Sequence, residues 1–80
     1  MRILWTSPAG DAFRRLPRGL RQEMLDRLGL VSDFPEMYAL HERQPYAGFR
    51  YFVVRNWCVS YVLAEDALVI LAVFPARRRF

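Results

Sequence analysis

Lysine is missing altogether from this 80-residue chain, and cysteine and histidine occur once each, at Cys58 and His41. One thiol cannot close an internal disulfide, and one histidine with one cysteine offers no metal-ligand spacing. That pattern fits a reducing compartment and leads us to expect no metal and no cofactor. Long hydrophobic runs are absent too. The longest, Ala67 to Ala76, falls well short of the ~20 residues a membrane helix needs. Met1 to Trp5 contains no secretory-type hydrophobic run, so a cytoplasmic, soluble chain with no membrane partner is expected. Glycine is scarce, with no phosphate-cradling loop, and neither a serine-nucleophile motif nor a spaced carboxylate pair is present.

What is abundant is arginine and apolar surface. All twelve basic residues are arginine against eight acidic ones, a net charge of +4, and 54% of the chain is hydrophobic with 15% aromatic. So apolar a composition excludes disorder. The length fits one small domain over residues 1–80, too small to enclose a deep catalytic cleft. The guanidinium fork suits phosphate and carboxylate, so an acidic partner is expected, either nucleic acid or an acidic protein segment.

The pattern of elements follows from periodicity and punctuation. Arg2 to Thr6 reads as a first strand, stopped by Ser7-Pro8, with Ser7 as a hydroxyl cap for the next helix. Ala9, Ala12, Phe13 and Leu16 form one apolar stripe, and Pro17 closes that helix. Pro17-Arg18 opens a second helix with Leu20, Met24 and Leu28 on one face and Leu25 beside them. Glu23 sits four residues before Arg27, a favourable local pair. Gly29 is a candidate end for this helix, the pattern also runs on to Val31, and Pro35 stops it. Signals between Asp33 and Gly48 are mixed, and Tyr38 to Glu42 reads as either a short strand or a loop.

Beyond Gly48 the period becomes two. Phe49 to Arg55, Trp57 to Leu63 and Ala67 to Phe74 read as three strands joined by tight turns at Arg55-Asn56 and Glu65-Asp66. The unbroken apolar run in the last of them marks a central strand. The fold class is therefore α+β: an N-terminal strand, then an α-helical hairpin packed on an antiparallel β-sheet.

Candidate chemistry reduces to arginines and aromatics. A lone histidine is most often structural, and Cys58 in an apolar strand reads as a buried thiol. Arg50 shares a strand face with Phe52 and so lies at the strand end or reaches over the sheet edge, with Tyr51 on the other face. A cationic, aromatic sheet surface suits single-stranded nucleic acid, and the competing reading is a solvated outer face. The tail Arg77-Arg78-Arg79-Phe80 directly follows the central strand. It is either held beside the sheet or solvated, with Phe80 stacking on a base or tucking into the core.

These stretches resemble one family. Phe13-Arg14-Arg15-Leu16-Pro17, the helix to Leu28, Asp33-Phe34-Pro35-Glu36-Met37 and Gly48-Phe49-Arg50-Tyr51-Phe52 through Tyr61 resemble the RelE/ParE superfamily, toxins of type II toxin–antitoxin modules. The resemblance implies a cognate antitoxin and one of two activities. RelE-like members are ribosome-dependent mRNA endonucleases, and ParE-like members are non-enzymatic poisons of DNA gyrase. Arg50-x-Phe52 and Pro35-Glu36-Met37 resemble the ParE side. Tyr51 and Val53 stand where RelE-like strands commonly present basic residues, and Phe80 lacks the hydroxyl of a terminal tyrosine. Gyrase is accordingly the expected target, with mRNA cleavage or a degenerate toxin that keeps only antitoxin binding as alternatives. The resemblance implies target contacts at Arg50, Arg55, Arg77, Arg78 and Phe80, and phosphate-holding roles for Arg50, Arg55 and Arg78 in a ribonuclease.

Overall fold

The computed structural model describes residues 1–40, 42 and 48–76. Their elements run β1 (Arg2–Trp5), α1 (Ser7–Arg14), α2 (Arg18–Asp33), β2 (Arg50–Val54), β3 (Trp57–Ala64) and β4 (Ala67–Pro75). The sheet order is β1-β4-β3-β2, with both helices on one face. The fold is α+β, as the pattern requires.

The β2-β3-β4 meander is antiparallel, but β1 pairs in parallel with β4, so the four-stranded sheet is mixed. A chain that leaves β1 through two helices and returns as a three-stranded meander can place its last strand beside the first in either sense. Strand direction is settled by tertiary packing and not by local pattern. Pairing of Arg2–Trp5 with Ala67–Ile70 makes β4 central, as its apolar run implied.

Local chemistry fixes the turns. Arg55 and Asn56 both take positive φ, 48° and 68°, the two-residue turn whose twist matches a hairpin. Glu65 at φ 54° begins the second. Where β3 meets β4 the register slips: Ser60 faces Ala72 and Tyr61 faces Ile70, leaving Leu71 bulged between them.

That bulge is tied to the first helix. The cap of α1 is Thr6 and not Ser7: its hydroxyl oxygen accepts from the Ala9 N–H at 3.3 Å and its O–H donates to the Leu71 carbonyl at 2.9 Å. Ser7 is already helical, with Pro8 in the first turn. Thr6 wins because it alone lies within reach of both the helix start and the bulge.

α2 runs through Gly29 to Asp33, so the glycine does not end it. Leu20, Met24, Leu28 and Val31 are buried against Phe52, Val54, Val59, Tyr61, Leu68 and Ile70. Ala9 of α1 and Leu16 just past its end join the same core, with Ala12 and Phe13 packed half-buried against it. Leu25, expected beside the buried stripe, is 46% exposed, because the helix presents its next face to α1 and solvent. Among the described residues, no helix is long and apolar enough to cross a membrane.

Candidate functional site

Of the functional side chains that the sequence singles out, the two among the described residues, Arg50 and Arg55, lie at the start of β2 and in the turn that follows it. After α2 the chain turns at Phe34 and runs back along β2. There Leu40 bridges Arg50 in antiparallel fashion and the Tyr51 N–H donates to the Ala39 carbonyl at 3.1 Å. Of Tyr38 to Glu42, expected as either a short strand or a loop, Leu40 forms an isolated bridge and no strand, and Pro35 to Leu40 lie as a cover along the β2 edge. His41 lies outside the described residues, as do Arg77, Arg78, Arg79 and Phe80.

Four side chains clamp this cover. Arg50 lies at the start of β2 on the helix side, half-buried, and donates to the Tyr38 carbonyl at 2.7 Å. The Tyr61 hydroxyl, from the neighbouring strand position, donates to the Pro35 carbonyl at 2.9 Å. Arg27 donates to the Tyr38 hydroxyl at 3.2 Å and lies 5.9 Å from the Phe52 ring centre, with the cation facing the ring. Tyr38, Phe52 and Tyr61 then follow as tilted ring pairs at 5.4 and 6.2 Å. Leu40, Gly48, Arg50, Tyr61, Val62 and Leu63 line a shallow hollow beside them.

Electrostatics agree with a clamp made of neutral phenol and charged guanidinium. Burial raises the Tyr61 hydroxyl above its ordinary value; the nearby Arg50 cation pulls it back and Tyr38 adds to the rise. Tyr61 therefore keeps its proton at neutral pH and serves as a donor. Cys58 is fully buried, and burial pushes its thiol up to about 11, with the Ser60 hydroxyl pulling the other way. It is an inert thiol, since the nucleophilic thiolate is suppressed.

Arg55 stands at the hairpin turn and forms an ion pair with Glu23 at 2.8 Å. This displaces the expected Glu23–Arg27 helical pair: Glu23 turns to the hairpin and Arg27 to the aromatic cluster. The sequence carried no sign of either partnership, because both join residues separated by the whole of the intervening segment.

The other sheet face differs from the cationic surface expected of it. Arg50 points to the helix side, so the described residues of β2 and β3 on the face away from the helices are Tyr51, Val53, Cys58, Ser60 and Val62, of which Cys58 and Ser60 are fully buried. Val53 is 41% exposed, and the strand neighbours across it are apolar as well. Among the described residues no group of three or more His, Cys, Asp or Glu side chains is placed to hold a metal ion.

Solved structures show which architecture this is. A chain of the intact E. coli RelBE toxin–antitoxin complex superposes with a TM-score of 0.80 at 16% identity, covering 96% of this chain and 98% of that one. The fold is that of the RelE-type toxins. The isolated E. coli RelE toxin gives 0.81 at 17% identity, covering 96% of this chain and 85% of its own. A YoeB/ParE toxin from Agrobacterium tumefaciens gives 0.72 at 14%, covering 94% and 98%. No family model matches the sequence, and neither does any curated protein. The RelE-type fold is thus carried by core pattern and topology at very low identity.

Proposed function

We propose that this chain is the toxin of a type II toxin–antitoxin pair, inhibiting growth through an essential target and neutralised by a cognate antitoxin. The observation that carries the reading is the superposition over nearly the full length of both chains on a chain from the RelBE toxin–antitoxin complex. A second feature supports a protein partner. Leu30, Phe34, Met37 and Leu40 are all large, apolar and exposed, Phe34 at 60%, and lie along one stretch from the end of α2 into the edge cover. An antitoxin segment that folds on contact would remove that surface from water.

For the target, RelE-like cleavage of ribosome-bound mRNA accounts for the neighbours at least as well as gyrase. The Arg50-x-Phe52 spacing that resembled ParE has a separate explanation here, since Arg50 anchors the Tyr38 carbonyl and Phe52 fills the core. Arg55, Arg77, Arg78 and Phe80 stay the proposed target contacts, with Arg50 acting there in addition to its clamp. Gyrase binding is the second reading, favoured by the likeness to a YoeB/ParE toxin.

The test is controlled expression in a bacterial host with and without co-expression of the protein encoded by the adjacent gene, expected to be small and acidic. Growth arrest relieved by that neighbour supports the toxin reading, and unhindered growth with folded protein present overturns it. In arrested cells, mapped mRNA ends within the ribosomal A-site codon support cleavage. Inhibited supercoiling by purified gyrase supports the other target.

A further inference from the structure

The helical layer carries a second arginine cluster that the clamp does not use. Arg15 caps the end of α1, Arg18 is the first residue of α2 and Arg21 lies one turn further on. Arg14, just before them, is already paired with Asp11. Arg15, Arg18 and Arg21 have no hydrogen bond or ion pair with any side chain among the described residues. The first turn of α2 contains no acidic residue, and Pro17 supplies no side-chain cap.

Two observations separate this cluster from ordinary solvated charge. The Arg21 Nε is buried and has no hydrogen-bond partner among the described residues, so packing and not a counter-charge holds this guanidinium in place. Arg18 and Arg21 also line one hollow of about 210 Å³ together with Phe13, Gln22 and the exposed Leu25. Phe13 is braced from beneath by Trp5, ring centres 4.8 Å apart. The hollow thus sets two unpaired guanidinium forks against an apolar, partly aromatic wall.

From this we infer that the α1–α2 corner binds the backbone of single-stranded nucleic acid, with phosphate oxygens on Arg18 and Arg21 and a base or sugar against Phe13 and Leu25. A phosphodiester presents two non-bridging oxygens that match a guanidinium fork, and its neighbour along the strand reaches Arg15. Aromatic and apolar walls beside cations are the usual platform for unpaired bases. The inference does not depend on the toxin reading, since it concerns a different surface and is tested without cells.

The experiment is fluorescence anisotropy of a labelled 12-nucleotide single-stranded RNA with the full chain over a series of salt concentrations. Arg18→Gln/Arg21→Gln and the distant Arg2→Gln are measured alongside, with thermal melting to verify that each is folded. The double variant is expected to bind at least tenfold more weakly. Its plot of log affinity against log salt should be flatter by ~1.4, two phosphate contacts at about 0.7 each for single strands. Arg2→Gln, whose arginine faces Asp66, should match the parent protein within a factor of two. Should the Arg21 change prevent folding, Arg18→Gln alone is expected to lose part of the affinity and about half of that slope. No RNA binding by the parent protein overturns the inference, and so does an equal loss in Arg2→Gln. Arginine-dependent binding of an acidic peptide in place of RNA overturns it in favour of a protein partner.

Discussion

Two regions flanking α2 are built from the same materials, arginine beside aromatic rings, and are finished differently. At the β2 edge, Arg27 and Arg50 are spent on Tyr38, and Tyr61 on Pro35, so the cluster closes on itself. At the α1–α2 corner, Arg18 and Arg21 line a hollow with Phe13, and no side chain among the described residues accepts from them. The composition is shared, so composition cannot separate a structural clamp from an open binding surface. What separates them is whether each donor already has an acceptor.

The largest effect expected from breaking this contrast is on the clamp. Arg50→Ala removes the donor to a half-buried carbonyl and should lower stability by about 2 kcal/mol in denaturant unfolding, the range for hydrogen bonds to charged groups. A variant as stable as the parent would show that Tyr38 is held by its ring contacts alone. Tyr61→Phe keeps the packing but leaves the Pro35 carbonyl unpaired, and about 1 kcal/mol should be lost.

The same residue sharpens the comparison through pH. Folded Tyr61 has a raised value, so its contribution is complete below about pH 10, where the unfolded phenol begins to ionise, and is lost as pH rises further. Cys58 behaves likewise from pH 9 upward, reaching its full loss near 11. Melting temperature should therefore fall on the alkaline side, and less steeply in Tyr61→Phe and Cys58→Ala. Equal alkaline slopes in all three proteins would contradict both assignments.

Smaller changes are expected elsewhere. Glu23→Gln breaks an ion pair whose side chains are 38% and 65% exposed, so no more than ~0.5 kcal/mol should be lost, and still less at high salt. At the corner, Arg18→Gln should leave unfolding within ~0.5 kcal/mol of the parent, since Arg18 has no hydrogen bond or ion pair to lose among the described residues. A marked destabilisation there would mean the corner is structural after all, and the contrast between the regions would collapse.

Much of the fold was legible because it is written locally. Ala9 and Leu16 are buried with Ala12 and Phe13 half-buried beside them, Leu20-Met24-Leu28 is buried, the Arg55-Asn56 turn takes its positive φ, and Leu68 to Val73 lies in the central strand. Each depends on neighbours a few residues away, where period and backbone sterics decide. The candidate site was less legible. Arg50 was placed correctly on the face of Phe52, but its acceptor, the Tyr38 carbonyl, lay in a stretch whose signals conflicted.

The sequence by itself therefore determined an α+β order of elements, the buried face of each helix and the sites of the hairpin turns. Tertiary structure alone decided that β1 joins β4 in parallel, that Thr6 and not Ser7 caps α1, and that Glu23 leaves Arg27 for Arg55. It also decided which arginines close on partners and which stay open. The physical reason is common to all four. A donor or strand edge takes the best acceptor within reach in space, and distance in space between residues 6 and 71, or 23 and 55, has no trace in local spacing.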